Sequence, residues 1–368
     1  MKTISITSII FLSILFVGCD NKQNSFLPSD KVVYLTEDNI PPLQKILFEK
    51  IDISEDLSYA SSFYVYRDTL LVLAHNIPNP YWLTFMNMKG DSVIAQYLKK
   101  GNGPNDMLCN FTNMHNNRLL YDGCVTNKLT IFNLDSVLRK GQSYMPQIHW
   151  LSNSRYVSFD MLTDTSFVFY NYWYLENGGE KINKGVPELV VTGKDANYSY
   201  EPPHNVTVVN IVSGANVLSD INRKRVFVAH HCKPQFTLLN SDLDTLKIIC
   251  GPEPIEKYKY EDKGDFGGLW PILYNEYTLR SITSDNYIFV WNRRIHNIKR
   301  EDIDEYRDNH KPEIFKFDWD GNLLARYQDI NIDVLHELSG FSEESNTLYL
   351  TAWGENNERT FYKAKLPM

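Results

Sequence analysis

The chain has 368 residues, 43% hydrophobic and 13% aromatic, with a formal net charge of −8. That apolar content supports a sizeable core and is unlike a disordered chain, and the length suits two average domains or one closed all-β or α/β body. The acidic balance, with no Lys/Arg cluster to neutralise phosphates, argues against nucleic-acid binding and gives no electrostatic attraction to an anionic membrane.

Met1-Lys2 precede an apolar and hydroxyl run of 14 residues from Ile4 to Val17, followed by Gly18-Cys19. A positive start, an apolar centre and a small residue before a cut site mark a secretory signal, and the run is short for a bilayer span. The Cys after Val17-Gly18 resembles the lipobox of bacterial lipoproteins, with Phe16 where Leu is usual. That resemblance implies loss of residues 1–18 and lipid attachment at Cys19; the alternative is an ordinary signal peptide with Cys19 incidental. Residues 19–42 are polar and turn-rich and are expected to tether the lipid to a body spanning 43–368. The expected setting is a bacterial cell envelope, periplasmic or outer-membrane, with the membrane a partner through the lipid. Of the later cysteines, Cys109, Cys124, Cys232 and Cys250 can form two disulfides within near pairs or remain buried thiols. No pair has the spacing of a metal knuckle.

Beyond the tether no long stretch has helical periodicity. Strand-like runs come in series: Phe63–Tyr66, Thr69–Ala74, Tyr81–Met86 and, past the turn at Lys89-Gly90-Asp91, Ser92–Tyr97. The clearest hairpin joins Glu313–Asp318 to Leu323–Tyr327 through Asp320-Gly321, where glycine tolerates positive φ. One strand ending recurs. Thr84-Phe85-Met86-Asn87 is echoed by Thr130-Ile131-Phe132-Asn133, Thr237-Leu238-Leu239-Asn240 and Phe315-Lys316-Phe317-Asp318, and more weakly near Thr192 and Lys363. The gaps between these marks are 46, 59, 48, 78 and 45 residues. A propeller blade takes about 40–50 residues, so three gaps fit directly and two need insertions. The longest gap contains charged segments at 252–268 and 298–311.

The pattern predicts an all-β fold, a six-bladed β-propeller, with a β-sandwich pair or a seven-bladed ring as alternatives. The last unit lacks an outer strand, and Lys45–Ile51 is expected to supply it and close the ring. Residues 150–205 match the unit least well.

One further motif, Gly101-Asn102-Gly103-Pro104-Asn105-Asp106-Met107, completes a resemblance. With the lipobox and the six units, the chain resembles the TolB-like six-bladed propeller lipoproteins of Bacteroides-type bacteria, in which a Gly-x-Gly-Pro-x-Glu-Phe loop follows the first full blade. Asp106 and Met107 depart from its acidic and aromatic members, and Gly251-Pro252-Glu253-Pro254 looks like a shorter second copy. The resemblance implies fold and location. It carries no reaction and no functional residue.

In a propeller, the loops after each second strand share a face around the channel mouth. The residues expected there are His75, Asn76, Asp122, Asn171, His230, His231, Asn292, Arg293, Arg294 and Glu355. Such a rim can bind a polar ligand or be a merely solvated loop edge. No cofactor is expected, a divalent metal at the channel mouth being the alternative. His230 and Cys232 could share an ion, whereas His230 and His231 point to opposite faces. Asp318–Asn322 lacks the acidic positions of a calcium loop and reads as a hairpin. Gly101–Pro104 opens no helix, so no nucleotide is expected, and no nucleophile elbow is present. Asp68-Thr69-Leu70, Asp91-Ser92-Val93, Asp135-Ser136-Val137 and Asp244-Thr245-Leu246 resemble an O-glycan acceptor sequence and equally fit turns that enter strands. The leading functional expectation is a non-catalytic envelope lipoprotein binding a protein, peptide or glycan. The alternatives are a metal-assisted hydrolase, lactonase or lyase at the channel mouth, and a structural subunit using its charged insertions.

Overall fold

The computed structural model describes residues 29–53, 60–75, 79–100, 111–123, 128–150, 156–171, 189–193, 197–200, 214–253, 260–262, 269–271, 273–303, 305–306, 310–332, 336–353 and 359–367. Residues 1–28, with the expected signal segment and Cys19, and Asn76, Cys109, Cys124, Glu355 and the motif at 101–107 lie outside the described residues.

Three short strands come first: β1 (Val32–Tyr34), β2 (Leu43–Ile46) and β3 (Glu49–Ile51). Blade one holds β4 (Ala60–Tyr66), β5 (Leu70–His75), β6 (Tyr81–Asn87) and β7 (Val93–Lys99). Blade two holds β8 (Phe111–His115), β9 (Arg118–Gly123), β10 (Lys128–Asn133) and, after helix α1 (Leu134–Lys140), β11 (Gln147–Trp150). Blade three is β12 (Tyr156–Met161), β13 (Ser166–Asn171), β14 (Leu189–Gly193) and β15 (Asn197–Tyr200). Blade four is β16 (Ala215–Asp220), β17 (Arg225–His230), β18 (Gln235–Asn240) and β19 (Thr245–Cys250). A two-stranded ribbon, β20 (Tyr260–Asp262) with β21 (Leu269–Pro271), leads to blade five: β22 (Leu273–Thr283), β23 (Tyr287–Lys299), β24 (Glu313–Asp318) and β25 (Leu323–Asp329). Blade six is β26 (His336–Ser342), β27 (Thr347–Trp353) and β28 (Arg359–Lys365), completed by β3.

The first strands neighbour one another around an axis, β4 beside β26, β26 beside β22, β22 beside β16 and β16 beside β12. Side chains make the remaining two joints. Asn113 Nδ2 donates to the Phe159 carbonyl at 3.0 Å between blades two and three, and the Tyr64 hydroxyl donates to the Thr112 carbonyl at 2.7 Å between blades one and two. The molecule is the expected six-bladed β-propeller. Each gap between blades holds its own apolar cluster. Phe85 and Phe132 meet between blades one and two, Phe236 and Phe317 between four and five, and Phe63 and Phe361 between six and one. Second strands are covered on both faces and so are buried throughout, as in Leu70–His75. They therefore read as continuous apolar runs rather than alternating ones.

All six recurring marks, Asn87, Asn133, Thr192, Asn240, Asp318 and Lys363, fall in third strands. The reason is visible in the turns that follow. Asn240 Oδ1 accepts the backbone N–H of Asp242 at 2.9 Å and of Asp244 at 2.8 Å; Asp318 Oδ1 accepts those of Asp320 at 3.0 Å and Asn322 at 2.8 Å. Asn87 reaches Asp91 in the same way. A short acceptor side chain organises each hairpin, as in an Asx turn, so Asp318–Asn322 is a turn, with Gly321 at φ +71°. Asn133 does the same for a helix, accepting the Ser136 N–H at 2.9 Å as the N-cap of α1. That helix was not anticipated, and it makes Asp135-Ser136-Val137 a first helical turn rather than an entry to a strand.

Closure is as expected in kind and narrower in extent. β3 pairs antiparallel with β28, Ile51 opposite Phe361 and Glu49 opposite Lys363. Lys45 and Ile46, expected in the same strand, instead pair parallel with Gln328 and Asp329 on the outer edge of blade five. Buried Ile46 packs with Tyr327 and Ile332, and Asn331 brackets Phe48 with bonds of 2.9 and 2.7 Å, turning the chain from blade five to blade six. β1, inside the segment expected to be a tether, adds parallel to β19 of blade four. These additions cover two sheet edges with backbone. Cys232 and Cys250 are not joined in a disulfide.

Candidate functional site

The first strands wall a cavity of about 500 Å³ on the propeller axis. Each blade contributes a polar side chain: Ser62, Asn113, Ser158, Asn216, Arg280 and Glu337 in blade order. One or two residues further along the strands, Met114, Phe159, Leu218 and Ile282 form an apolar waist. Below the waist the axis is closed. His115 of blade two meets Thr283 of the opposite blade five, Nδ1 to Oγ1 at 2.9 Å, and lies 3.4 Å from Asp160 Oδ2. Asp160 also accepts the N–H of Ser219 at 2.7 Å, and burial, opposed by His115, raises its pKa. Blades two to five are thus pinned together by a buried polar floor, and the cavity opens toward the face where second strands end.

Arg280 is the main charge on this wall. A register shift between Thr278 and Arg280 lets it leave the regular pleat of β22. Its guanidinium hydrogen-bonds Glu337 of blade six and lies 5.0 Å from the ring centroid of Tyr64 in blade one. Burial pulls its pKa down, but Tyr64 and Glu337 more than compensate and the net shift is upward. A second guanidinium, Arg359 at the start of β28, stacks on Trp353 at 3.2 Å and on Phe63 at 5.1 Å. Its Nε and Nη1 are buried and have no hydrogen-bond acceptor among the described residues. Burial lowers its pKa to about 10, with Glu337 opposing and the positive field of Arg280 adding to the fall. Among the described residues, Glu337 therefore acts on both cations.

The rim residues expected from sequence divide into two groups. His75, Asp122 and His230 are buried at the ends of second strands, Asn292 is buried within β23, and none of the four lines the cavity. His75 Nε2 lies 2.8 Å from Thr84 Oγ1, and His230 Nε2 lies 3.5 Å from Thr237 Oγ1, the same device in blades one and four. Burial, aided by Lys100, takes His75 down to about 4, and burial also drives His230 well below the ordinary value. The second group gathers where the long β22–β23 hairpin extends past blade four. Arg293 donates to Glu276 at 3.0 Å, Arg294 to Glu253 at 2.6 Å, and the Tyr277 N–H to the His231 carbonyl at 2.6 Å. Burial lowers His231 to about 4 against the pull of Glu276, and burial lifts the Cys232 thiol to about 12. The side chain of Asn171, with Asn76 and Glu355, lies outside the described residues. No three His, Cys, Asp or Glu side chains converge as metal ligands among the described residues.

Arg280, Glu337 and Arg359 were not singled out from sequence. The available signal was a lone arginine inside the strand Leu279-Arg280-Ser281-Ile282, a charge where a first strand should be apolar or small.

Fold and channel together define the class, a six-bladed β-propeller with one end of its axis open and polar. No protein-family model matches the sequence, and no curated protein does. Among solved structures, a DUF4221 family member from Bacteroides vulgatus is similar with a TM-score of 0.54 and 10% identity, over 89% of this chain and 98% of that one. A Bacteroides fragilis protein named for an expected export gives a TM-score of 0.48 and 12% identity over 91% and 98%. A streptogramin B lyase gives 0.41 and 11% over 86% and 97%. At such identities the likeness is one of fold.

Proposed function

We propose that this chain is a lipid-anchored envelope lipoprotein whose propeller is a non-catalytic binding module, taking its ligand into the open end of the channel. The observation that carries the reading is the polar cavity of about 500 Å³, within the range of small-molecule pockets and closed beneath by the His115–Asp160–Thr283 floor. Among the described residues its wall offers charges and hydrogen-bonding groups and no nucleophile paired with a base. The lipobox-like Val17-Gly18-Cys19 supports the anchor. The chain path supports an orientation. Lys31 Nζ donates to the Thr245 carbonyl at 2.6 Å, at the start of β19 and so on the face opposite the channel opening. The nine residues from Asp20 to Pro28 reach at most roughly 30 Å, which turns the opening away from the lipid.

Two experiments test the reading. Growth with labelled palmitate should label the protein, and Cys19→Ala should remove the label and release the protein from membranes; an unlabelled wild type would sink the anchor. Ligand capture from envelope extracts, followed by mass spectrometry, should recover a molecule with wild type that is lost in Ser62→Trp, which fills the cavity. Capture unaffected by that substitution would move the binding surface elsewhere.

A further inference from the structure

We infer that the channel cavity recognises an uncharged polyhydroxylated molecule, a neutral mono- or disaccharide in chemical class, held by the Arg280–Glu337 pair together with the amide of Asn216 and the hydroxyl of Ser281. The inference rests on the channel-binding reading and goes further by naming the ligand's chemistry.

Charge excludes the ionic ligands first. Arg280 and Glu337 are the charged residues among those described around the cavity, and they are bonded to each other. An anion drawn to Arg280 meets the Glu337 carboxylate, and a cation drawn to Glu337 meets the guanidinium. Either would have to break the pair and leave one enclosed charge without its partner, which is costly. A neutral ligand keeps the pair whole. The pair also retains hydrogen-bonding capacity, because its bond uses only Nη1 of Arg280 and Oε2 of Glu337. Further guanidinium N–H groups and the carboxylate Oε1 stand outside that bond, so a charge-assisted donor and a charge-assisted acceptor lie side by side. Neighbouring hydroxyls of a sugar match this doublet, one accepting from Arg280 and the next donating to Glu337. The guanidinium carbon lies 5.0 Å from the ring centroid of Tyr64, so the donor is ordered before a ligand arrives and loses little entropy on binding.

The rest of the polar wall is neutral, made of hydroxyls and amides such as Ser62, Asn113, Ser158, Asn216 and Ser281. Two of these are unanswered. Asn216 Nδ2 and Ser281 Oγ are enclosed and have no hydrogen-bond partner among the described residues, and Ser281 is only 7% exposed. Leaving such groups unmet is unfavourable, and a ligand hydroxyl, which both donates and accepts, satisfies either. Ser158 Oγ accepts the Val217 N–H at 2.9 Å and still has its own proton to donate. Ser158, Asn216 and Ser281 stand on the first strands of blades three, four and five, and Glu337 on that of blade six. The polar groups therefore encircle the space, as a ring bearing hydroxyls around its edge requires. Tyr64, Val217, Leu279 and Trp291 between them supply apolar area for the C–H surfaces of that ring. The volume of about 500 Å³, stopped below by the waist of Met114, Phe159, Leu218 and Ile282, suits a small sugar rather than a long chain lying wholly inside.

The test uses the full protein in a detergent without a sugar headgroup, titrated calorimetrically with glucose, galactose, mannose, maltose and lactose. Glucuronate, galacturonate and glucosamine serve as charged analogues. At least one neutral sugar should bind at millimolar concentration or below, at least tenfold more tightly than every charged analogue, and equally well at low and high salt. Ser281→Ala and Asn216→Leu each remove an unanswered polar group. Each should lower the affinity for that sugar at least fivefold while the melting temperature of the ligand-free protein holds or rises, a combination that a purely structural side chain does not give. The double variant Arg280→Met with Glu337→Gln removes the pair without stranding either partner and should abolish binding; if it fails to fold, the two single variants decide. The inference is overturned if no neutral sugar binds, if a charged analogue binds as tightly, or if Ser281→Ala and Asn216→Leu both leave binding undiminished. In each of these cases, capture of another molecule that is lost in Ser62→Trp would leave the channel reading standing. Neutral-sugar binding undiminished in Ser62→Trp would overturn both the inference and the channel reading.

Discussion

Removing the ring of Phe361 should open the closure of the propeller more than any equal truncation on its outside. Phe361 is 1% exposed, stands opposite Ile51 of β3, and meets Phe63 of blade one edge to face with centroids 4.9 Å apart. Three separate parts of the chain therefore touch one side chain: the last blade, the first blade and the N-terminal strand. Phe→Ala in a core costs about 3–5 kcal/mol, and the upper half is expected here because strand pairing on both sides prevents collapse into the void. About 1 kcal/mol of this belongs to the edge-to-face pair and should reappear as coupling in a double-mutant cycle with Phe63→Ala. The measurement is urea unfolding at constant m-value, with a thermal midpoint lowered by about 5–8 °C as a second readout. Met145→Ala, 82% exposed, is the control and should change stability by less than about 0.5 kcal/mol. A loss below about 1 kcal/mol for Phe361→Ala, or a coupling of zero, would refute the closure as a packed interface.

Acid should destabilise the fold in a defined window. Burial, then Lys100, lowers His75 to about 4, and burial against Glu276 lowers His231 to about 4. The unfolded chain takes these protons near pH 6.5, so stability is complete above that value and falls as pH drops toward 4. Buried His75 alone accounts for up to about 3 kcal/mol; His75→Gln should flatten the slope, and a denaturant midpoint constant between about pH 7 and pH 4.5 would contradict the assignment. Gly340→Ala should cost about 1–3 kcal/mol, because its Cβ would stand 2.5 Å from the Val65 carbonyl of the neighbouring blade; an unchanged urea midpoint would show that the first strands are free to part. Asp318→Ala removes the acceptor that organises the β24–β25 turn and should cost about 1–2 kcal/mol, with the loss read by chemical denaturation. No loss would leave Gly321 alone responsible for the hairpin.

The ring was legible because a local device repeats. Every Asn or Asp at a third-strand end does short-range work, closing a hairpin or capping a helix, so its spacing survives insertions elsewhere. Insertions blurred the pattern where the device changes. Asn133 caps α1 in place of a hairpin, and 298–311 lengthens the step from β23 to β24. The expected closing strand was right in its second half only. Lys45–Ile51 reads as one continuous strand-like run, and which blade edge its first residues join is decided by the contact of Asn331 with the Phe48 backbone, a tertiary matter the run itself does not encode.

The site was less legible, for a reason rooted in the geometry of a propeller. Polar residues after second strands attract attention because loops ordinarily hold them at the surface. Here the blade-to-blade wedge reaches the ends of those strands, so His75 and His230 are enclosed and answered by threonines on the next strand. The solvent-facing chemistry moves inward to the first strands, which flank the axis and are the shortest path from one blade to another. Arg280 exploits this: from blade five it bonds a carboxylate in blade six and stacks on a ring in blade one. A charge so placed holds three blades at fixed angles, and a ligand that competes for Glu337 acts on the same three blades. Binding at the channel opening should therefore raise the stability of the ring closure itself, by an amount set by ligand concentration relative to its Kd. Phe361→Ala supplies the check: a channel ligand should restore part of its lost thermal midpoint, whereas a ligand bound only on the outer edge of a single blade leaves the closure interface untouched.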